Sequence, residues 1–119
     1  MRRGALTAFP LLAVLVAGCG GGTAPATAAG GSIKLTLTEF KYSTPTIELK
    51  ADEKATLELK NTGTVEHDLK IDAAGLQVLI QPGKTATRNL GPLKAGTYEF
   101  WCSVTGHKEA GMKGTLIVK

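Results

Sequence analysis

From Ser32 to the carboxyl end, apolar and polar residues alternate with a period of two. Ile33, Leu35 and Leu37 alternate with Lys34, Thr36 and Thr38, and Ala55, Leu57 and Leu59 alternate with Thr56, Glu58 and Lys60. Later, Tyr98, Phe100 and Cys102 alternate with Thr97, Glu99 and Trp101. Successive side chains of a strand point to opposite faces, so each run predicts a strand with one buried face. Shorter runs at Ile47–Leu49, Val65–Ile71, Leu76–Ile80, Lys84–Leu90 and Thr115–Lys119 read the same way. Pro45, Asn61-Thr-Gly63, Pro82-Gly83, Gly91-Pro92 and Ala95-Gly96 punctuate them with turn chemistry. No segment carries a sustained helical period. About eight short strands at roughly ten-residue intervals predict an all-β fold, an antiparallel sandwich or barrel.

The first 31 residues break the pattern. Met1-Arg-Arg3 is basic, and the apolar run from Ala5 to Ala17 falls short of the ~20 residues that a membrane-spanning helix needs. A short apolar run behind a basic start reads as an export signal. It ends in Leu15-Val-Ala-Gly-Cys19, which resembles the lipobox of bacterial lipoproteins. That resemblance implies a signal peptide over residues 1–18 and a lipid on Cys19, the first mature residue. The alternative is an ordinary secretory signal cut after Ala26 or Ala29, with Cys19 discarded. The stretch Gly20–Gly31 has no charge and no large apolar side chain. It reads as a flexible tether spanning ~20 Å. The expected organisation is signal 1–18, lipidated Cys and tether 19–31, and one folded domain 32–119. The expected location is the cell envelope, with the domain anchored to a membrane and facing the periplasm or the exterior.

Charge narrows the partners. The chain carries a formal net charge of +4. Without Arg2 and Arg3, twelve Lys and Arg face ten Asp and Glu. These charges are scattered, with no basic run and no clustered Arg, so no nucleic-acid partner is expected.

The chemistry concentrates in Tyr98–Gly114. Its strand gives way to a loop broken by Gly106, Gly111 and Gly114, and this stretch carries Cys102, His107 and Met112 in a Cys-x4-His-x4-Met spacing. The chain has two Cys, two Met and two His. With Met1 and Cys19 set aside, every remaining sulfur and imidazole is Cys102, Met112, His107 or His67. On Val65–Ile71 the alternation turns Val65, His67, Leu69 and Ile71 to the core and Glu66, Asp68, Lys70 and Asp72 away from it. An inward His often just satisfies its hydrogen bonds in a core, and Met112 can be plain core filling. An unpaired thiol in an exported chain, however, needs protection. Two imidazoles, one thiolate and one weak thioether make the ligand set of a blue-copper electron-transfer site.

These stretches resemble the cupredoxins, small blue copper proteins of the plastocyanin and azurin kind. The likeness covers Ile33 to Lys119 and is most specific in Asn61-Thr-Gly-Thr-Val-Glu-His67 and Tyr98–Gly114. The loop spacing is similar to that of auracyanin and rusticyanin. The resemblance implies a Greek-key β-sandwich binding one copper ion through His67, Cys102, His107 and Met112. It also implies electron exit through His107; around that residue Val104, Ala110 and Gly111 are expected to form a small apolar docking patch. Two positions depart from the family pattern. Asp68 stands where Asn often follows the first ligand His, and Thr105 where Pro often precedes Gly-His. An Asp68 carboxylate accepting from Ser103 or a nearby backbone N–H is expected to alter the reduction potential.

The expected function is single-electron transfer by a monomer, with a c-type cytochrome or a membrane oxidase or reductase as partner. An enzyme is not expected, because multicopper oxidases and copper nitrite reductases need more His than the two present, and a binuclear centre needs a second Cys where Gly106 stands. Copper carriage or storage is the alternative function. Zinc is an alternative occupant, although the usual affinity order favours Cu(II).

Overall fold

The protein is described by a computed structural model that covers residues 24–27 and 31–119. The signal peptide over residues 1–18 and Cys19 lie outside the described residues. So does most of the tether. Among the described residues no helix is long and apolar enough to cross a membrane.

Among the described residues, ten strands form two sheets. They are β1 (Ala26–Thr27), β2 (Ser32–Thr38), β3 (Lys41–Tyr42), β4 (Thr46–Leu49), β5 (Ala55–Asn61), β6 (His67–Ile71), β7 (Leu76–Ile80), β8 (Thr85–Leu90), β9 (Gly96–Trp101) and β10 (Lys113–Val118). One sheet has the order β1-β4-β10-β9-β6-β7 and the other β3-β2-β5-β8. The chain crosses repeatedly between them, which makes an all-β Greek-key sandwich. β1 and β3 have two residues each, and the other strands match the runs that alternation marks.

The inner faces are the alternating apolar positions. Ile33, Leu35 and Leu37 of β2, Leu57 and Leu59 of β5, and Leu69 and Ile71 of β6 are 2% exposed or less. Phe100 of β9 and Leu116 of β10, in the same sheet as β6, face β2 and β5 across the core, and Tyr42 stacks edge-on against Phe100 at 5.1 Å.

Three expectations need correction. The sandwich is mixed rather than antiparallel: β2 runs parallel to β5, and β4 runs parallel to β1 and β10. Period-two alternation fixes which face is buried, not the direction of the neighbour. Ala26 and Thr27, inside the stretch read as a tether, pair with Ile47 and Glu48. The free edge of β4 offers backbone groups to any extended segment, whatever its side chains.

Val65 is the third. It is 41% exposed and lies outside β6, which starts at His67. Its backbone is held otherwise: the Val65 carbonyl accepts from Asn61 Nδ2 at 2.8 Å, and its N–H donates to Glu39 Oε1 at 3.2 Å. Asn61 is fully buried, donates also to the Ile80 carbonyl at 2.9 Å, and accepts from Gly63 N–H at 2.9 Å. One amide thereby folds residues 62–66 into a loop that delivers the chain to His67.

Candidate metal centre

His67 enters the site as the first residue of β6, and Cys102 as the first residue past β9. The loop between Cys102 and Met112 is closed by its own backbone. Cys102 N–H donates to the Met112 carbonyl at 3.0 Å, Met112 N–H to the His107 carbonyl at 3.0 Å, and His107 N–H to the Val104 carbonyl at 3.0 Å. Gly106 at φ 82° and Gly111 at φ 104° occupy the left-handed region that these tight turns require. The three loop residues of interest are thus bonded to one another before any ion is considered.

The side chains converge. His67 Nδ1 lies 3.2 Å from His107 Nδ1, and Cys102 Sγ lies 3.4 Å from His107 Nδ1. His67, Cys102 and His107 offer donor atoms all within 4.8 Å of one another, and all three residues are buried. Metal–nitrogen and metal–sulfur bonds of ~2.0–2.3 Å at trigonal or tetrahedral angles place donors roughly 3.3–3.8 Å apart. The donor set therefore fits one soft or borderline ion. Met112 is fully buried and tied by its backbone to both Cys102 and His107.

Burial shapes the electrostatics. It pushes the Cys102 thiol above its ordinary value and pulls the His67 imidazole below its own. A neutral imidazole is the form that binds a metal, whereas a thiolate in this place calls for a cation beside it. The Asp68 backbone N–H, 3.4 Å from Sγ, is positioned to support negative charge on the sulfur.

Asp68 was expected on the outer face of its strand, yet it is 2% exposed. The loop after Cys102 covers that face. Asp68 Oδ1 accepts from Ser103 N–H at 2.5 Å, and Oδ2 accepts from the Ser103 hydroxyl and from Gln77 Nε2 at 3.2 Å. The carboxylate thus splints β6 to the residue next to Cys102. Tyr42 supports the same place, donating to the Asp68 carbonyl at 2.7 Å. Burial pushes that phenol's pKa up, which keeps it a donor.

Three participants escape sequence reasoning. Gln77 bridges Asp68 and the Ser103 hydroxyl. Phe40 packs edge-on against His107 with ring centroids 4.9 Å apart while remaining 44% exposed. Glu39 reaches the loop before His67, and the backbone N–H of Thr64 is the main cause that pulls its carboxyl down to about 2. Glu39 and Phe40 sit in a turn with no periodicity, and nothing local marks them. Of the patch residues, Val104 is half-buried, and Ala110 and Gly111 are exposed.

Comparison with known proteins agrees with this fold. A family model described as a cupredoxin-like domain matches residues 9–118. The copper-resistant cuproprotein CopI of Pseudomonas aeruginosa is 25% identical over an alignment of 148 residues, covering 83% of this chain and 82% of that protein. Among solved structures, dithionite-reduced auracyanin from the photosynthetic bacterium Roseiflexus castenholzii superposes with a TM-score of 0.68 at 21% identity, over 76% of this chain and 98% of that one. A blue copper oxidase from Nitrosomonas europaea superposes with a TM-score of 0.66 at 21% identity, but only 38% of its length is matched by 74% of this chain.

Proposed function

The chain belongs to the cupredoxin-like family, and from that premise we propose that it binds one copper ion and carries single electrons. His67, Cys102, His107 and Met112 hold the ion in this reading, which rests above all on the convergence of two Nδ1 atoms and Sγ in a buried place. Copper held there supplies a one-electron Cu(II)/Cu(I) couple, and a His2Cys set with a weak thioether is acceptable to both oxidation states.

The residues divide the remaining work. The Cys102–Met112 loop, closed by its own hydrogen bonds, keeps the donors in place as the charge between them changes. Asp68 N–H and the Asp68–Ser103 splint fix the sulfur. His107 is 8% exposed, whereas His67, Cys102 and Met112 are fully buried. His107 is therefore the ligand that a partner reaches, with Val104, Ala110 and exposed Phe40 around it. A c-type cytochrome or a membrane oxidase or reductase suits this role as donor or acceptor. A lipid on Cys19 would hold the domain at the membrane surface where such partners lie.

Copper carriage is the second reading, favoured by the likeness to a copper-resistance cuproprotein. An oxidase activity has less support, because both histidines of the chain are taken by one centre. Repeated reduction and reoxidation of the copper-loaded domain, followed by desalting, separates the two leading readings. Full retention of copper over the cycles, with fast exchange to a cytochrome, supports electron transfer. Loss of copper on each reduction, with uptake by a metal-free acceptor protein, would replace it with carriage.

A further inference from the structure

Glu39 lies in the turn between β2 and β3, far in sequence from every proposed ligand. Its Oε1 accepts from the backbone N–H of Thr64 at 2.5 Å and of Val65 at 3.2 Å, with the Thr64 hydroxyl at 3.4 Å. The same oxygen lies 3.5 Å from His67 Nε2. Among the described residues, that Nε2 is the only buried side-chain nitrogen or oxygen with no hydrogen-bond partner. A buried polar group left unpaired costs ~1–3 kcal/mol, so its nearest acceptor matters.

Gly63 makes the approach possible. A Cβ at Gly63 would overlap the Glu39 carboxylate. Gly63 is absent from the positive-φ glycines, so its backbone does not need the freedom of glycine. Space for the Glu39 carboxylate is what the missing side chain provides. Two backbone N–H groups and one glycine thus seat a single carboxylate oxygen behind the imidazole.

A neutral imidazole has one N–H and one lone pair. With the Nδ1 lone pair turned to the ion, Nε2 carries the proton and faces Glu39. We infer that Glu39 is a positioning residue of the metal centre: its carboxylate receives the Nε2–H of His67, fixes that ring and places negative charge behind it. This rests on the copper reading above. A carboxylate behind a ligating imidazole raises its basicity and favours the more highly charged ion. Its side chain is 35% exposed, and solvent screens part of the charge, which keeps the effect moderate.

The test compares copper-loaded wild type, Glu39→Gln and Glu39→Ala by reduction potential and by the His67 Nε2–H resonance of the Cu(I) form. Loss of the charge in Glu39→Gln is expected to shift the Cu(I)/Cu(II) ratio at a fixed potential about three- to tenfold toward Cu(I), roughly 30–59 mV for one electron. Glu39→Ala should shift it in the same direction and also speed solvent exchange of the Nε2 proton. Gly63→Ala should reproduce the Glu39→Ala shift and add little in the double variant. Blue variants with wild-type potentials and an unchanged Nε2–H signal would overturn the inference and leave Glu39 a loop staple. A wild type that forms no thiolate–copper colour would instead overturn the copper reading, and this inference with it.

Discussion

The backbone N–H of Asp68 points at the sulfur of Cys102 from 3.4 Å, while the Asp68 carboxylate accepts from the backbone N–H of Ser103, the residue immediately after that cysteine. Two adjacent residues of the ligand loop are thus held by the main chain and the side chain of one residue on the neighbouring strand. Asp68→Asn keeps the shape but brings an amide N–H against donors on Ser103 or Gln77 and removes a charge near the sulfur. We expect its reduction potential to rise, because less negative charge near the ion favours Cu(I) over Cu(II). An unchanged potential would remove Asp68 from the tuning of the site. Asp68→Ala cuts the tie between β6 and the ligand loop, and because the exposed Ser103 and Gln77 side chains can turn to water it should cost only ~1–2 kcal/mol in urea unfolding.

Asn61 has no donor atom in the site, yet it decides where His67 lies. It is fully buried and bonded to Gly63, Val65 and Ile80. Asn61→Ala should destabilise the fold by ~2–4 kcal/mol, since two carbonyls and an N–H lose their partner together. A loss below ~1 kcal/mol in chemical denaturation would show that the 62–66 loop holds its shape without it.

The stability of the metal-free domain should peak between the ordinary values of its imidazole and its thiol. Burial holds His67 below 6.5, so the unfolded chain protonates first and stability falls as pH drops through that value. Burial holds Cys102 above 9.0, so the unfolded thiol ionises first and stability falls as pH rises past it. Glu39, drawn from 4.5 to about 2, adds stability that is lost as pH falls across that span. Urea midpoints at about pH 5, 7.5 and 10 should be highest at the middle value. A midpoint rising steadily to about pH 10 would contradict the assignment of a buried neutral thiol.

Met112 and Cys102 should separate cleanly under substitution. Met112→Leu keeps the two imidazoles and the thiolate, so the colour should persist while the potential rises, an apolar axial neighbour favouring Cu(I). Cys102→Ser should abolish the intense visible band and leave the β-sheet far-ultraviolet signature intact. Persistence of the band in Cys102→Ser would place its origin elsewhere.

Much of this was legible in the residues, and the rest was hidden for definite reasons. Alternation in β2, β5 and β9 shows the inner face because one-sided burial imposes a period of two. His67 falls on that face, and Cys102 continues it past the end of β9. Asp68 misleads because the rule assigns the other face to solvent, while here a loop covers it. Val65 misleads because Asn61, a side chain four residues earlier, takes over the backbone bond that would have extended β6. Glu39 is invisible because its partners lie 25 residues or more away and the pairing depends on an absent side chain at Gly63.

The most direct test is the visible spectrum of the domain on stepwise addition of Cu(II). An intense blue or green band that saturates at one equivalent, bleaches with ascorbate and returns on reoxidation is the expected result for a copper–thiolate redox centre. A protein that binds copper yet stays colourless would exclude Cys102 as a ligand and contradict the electron-carrier function.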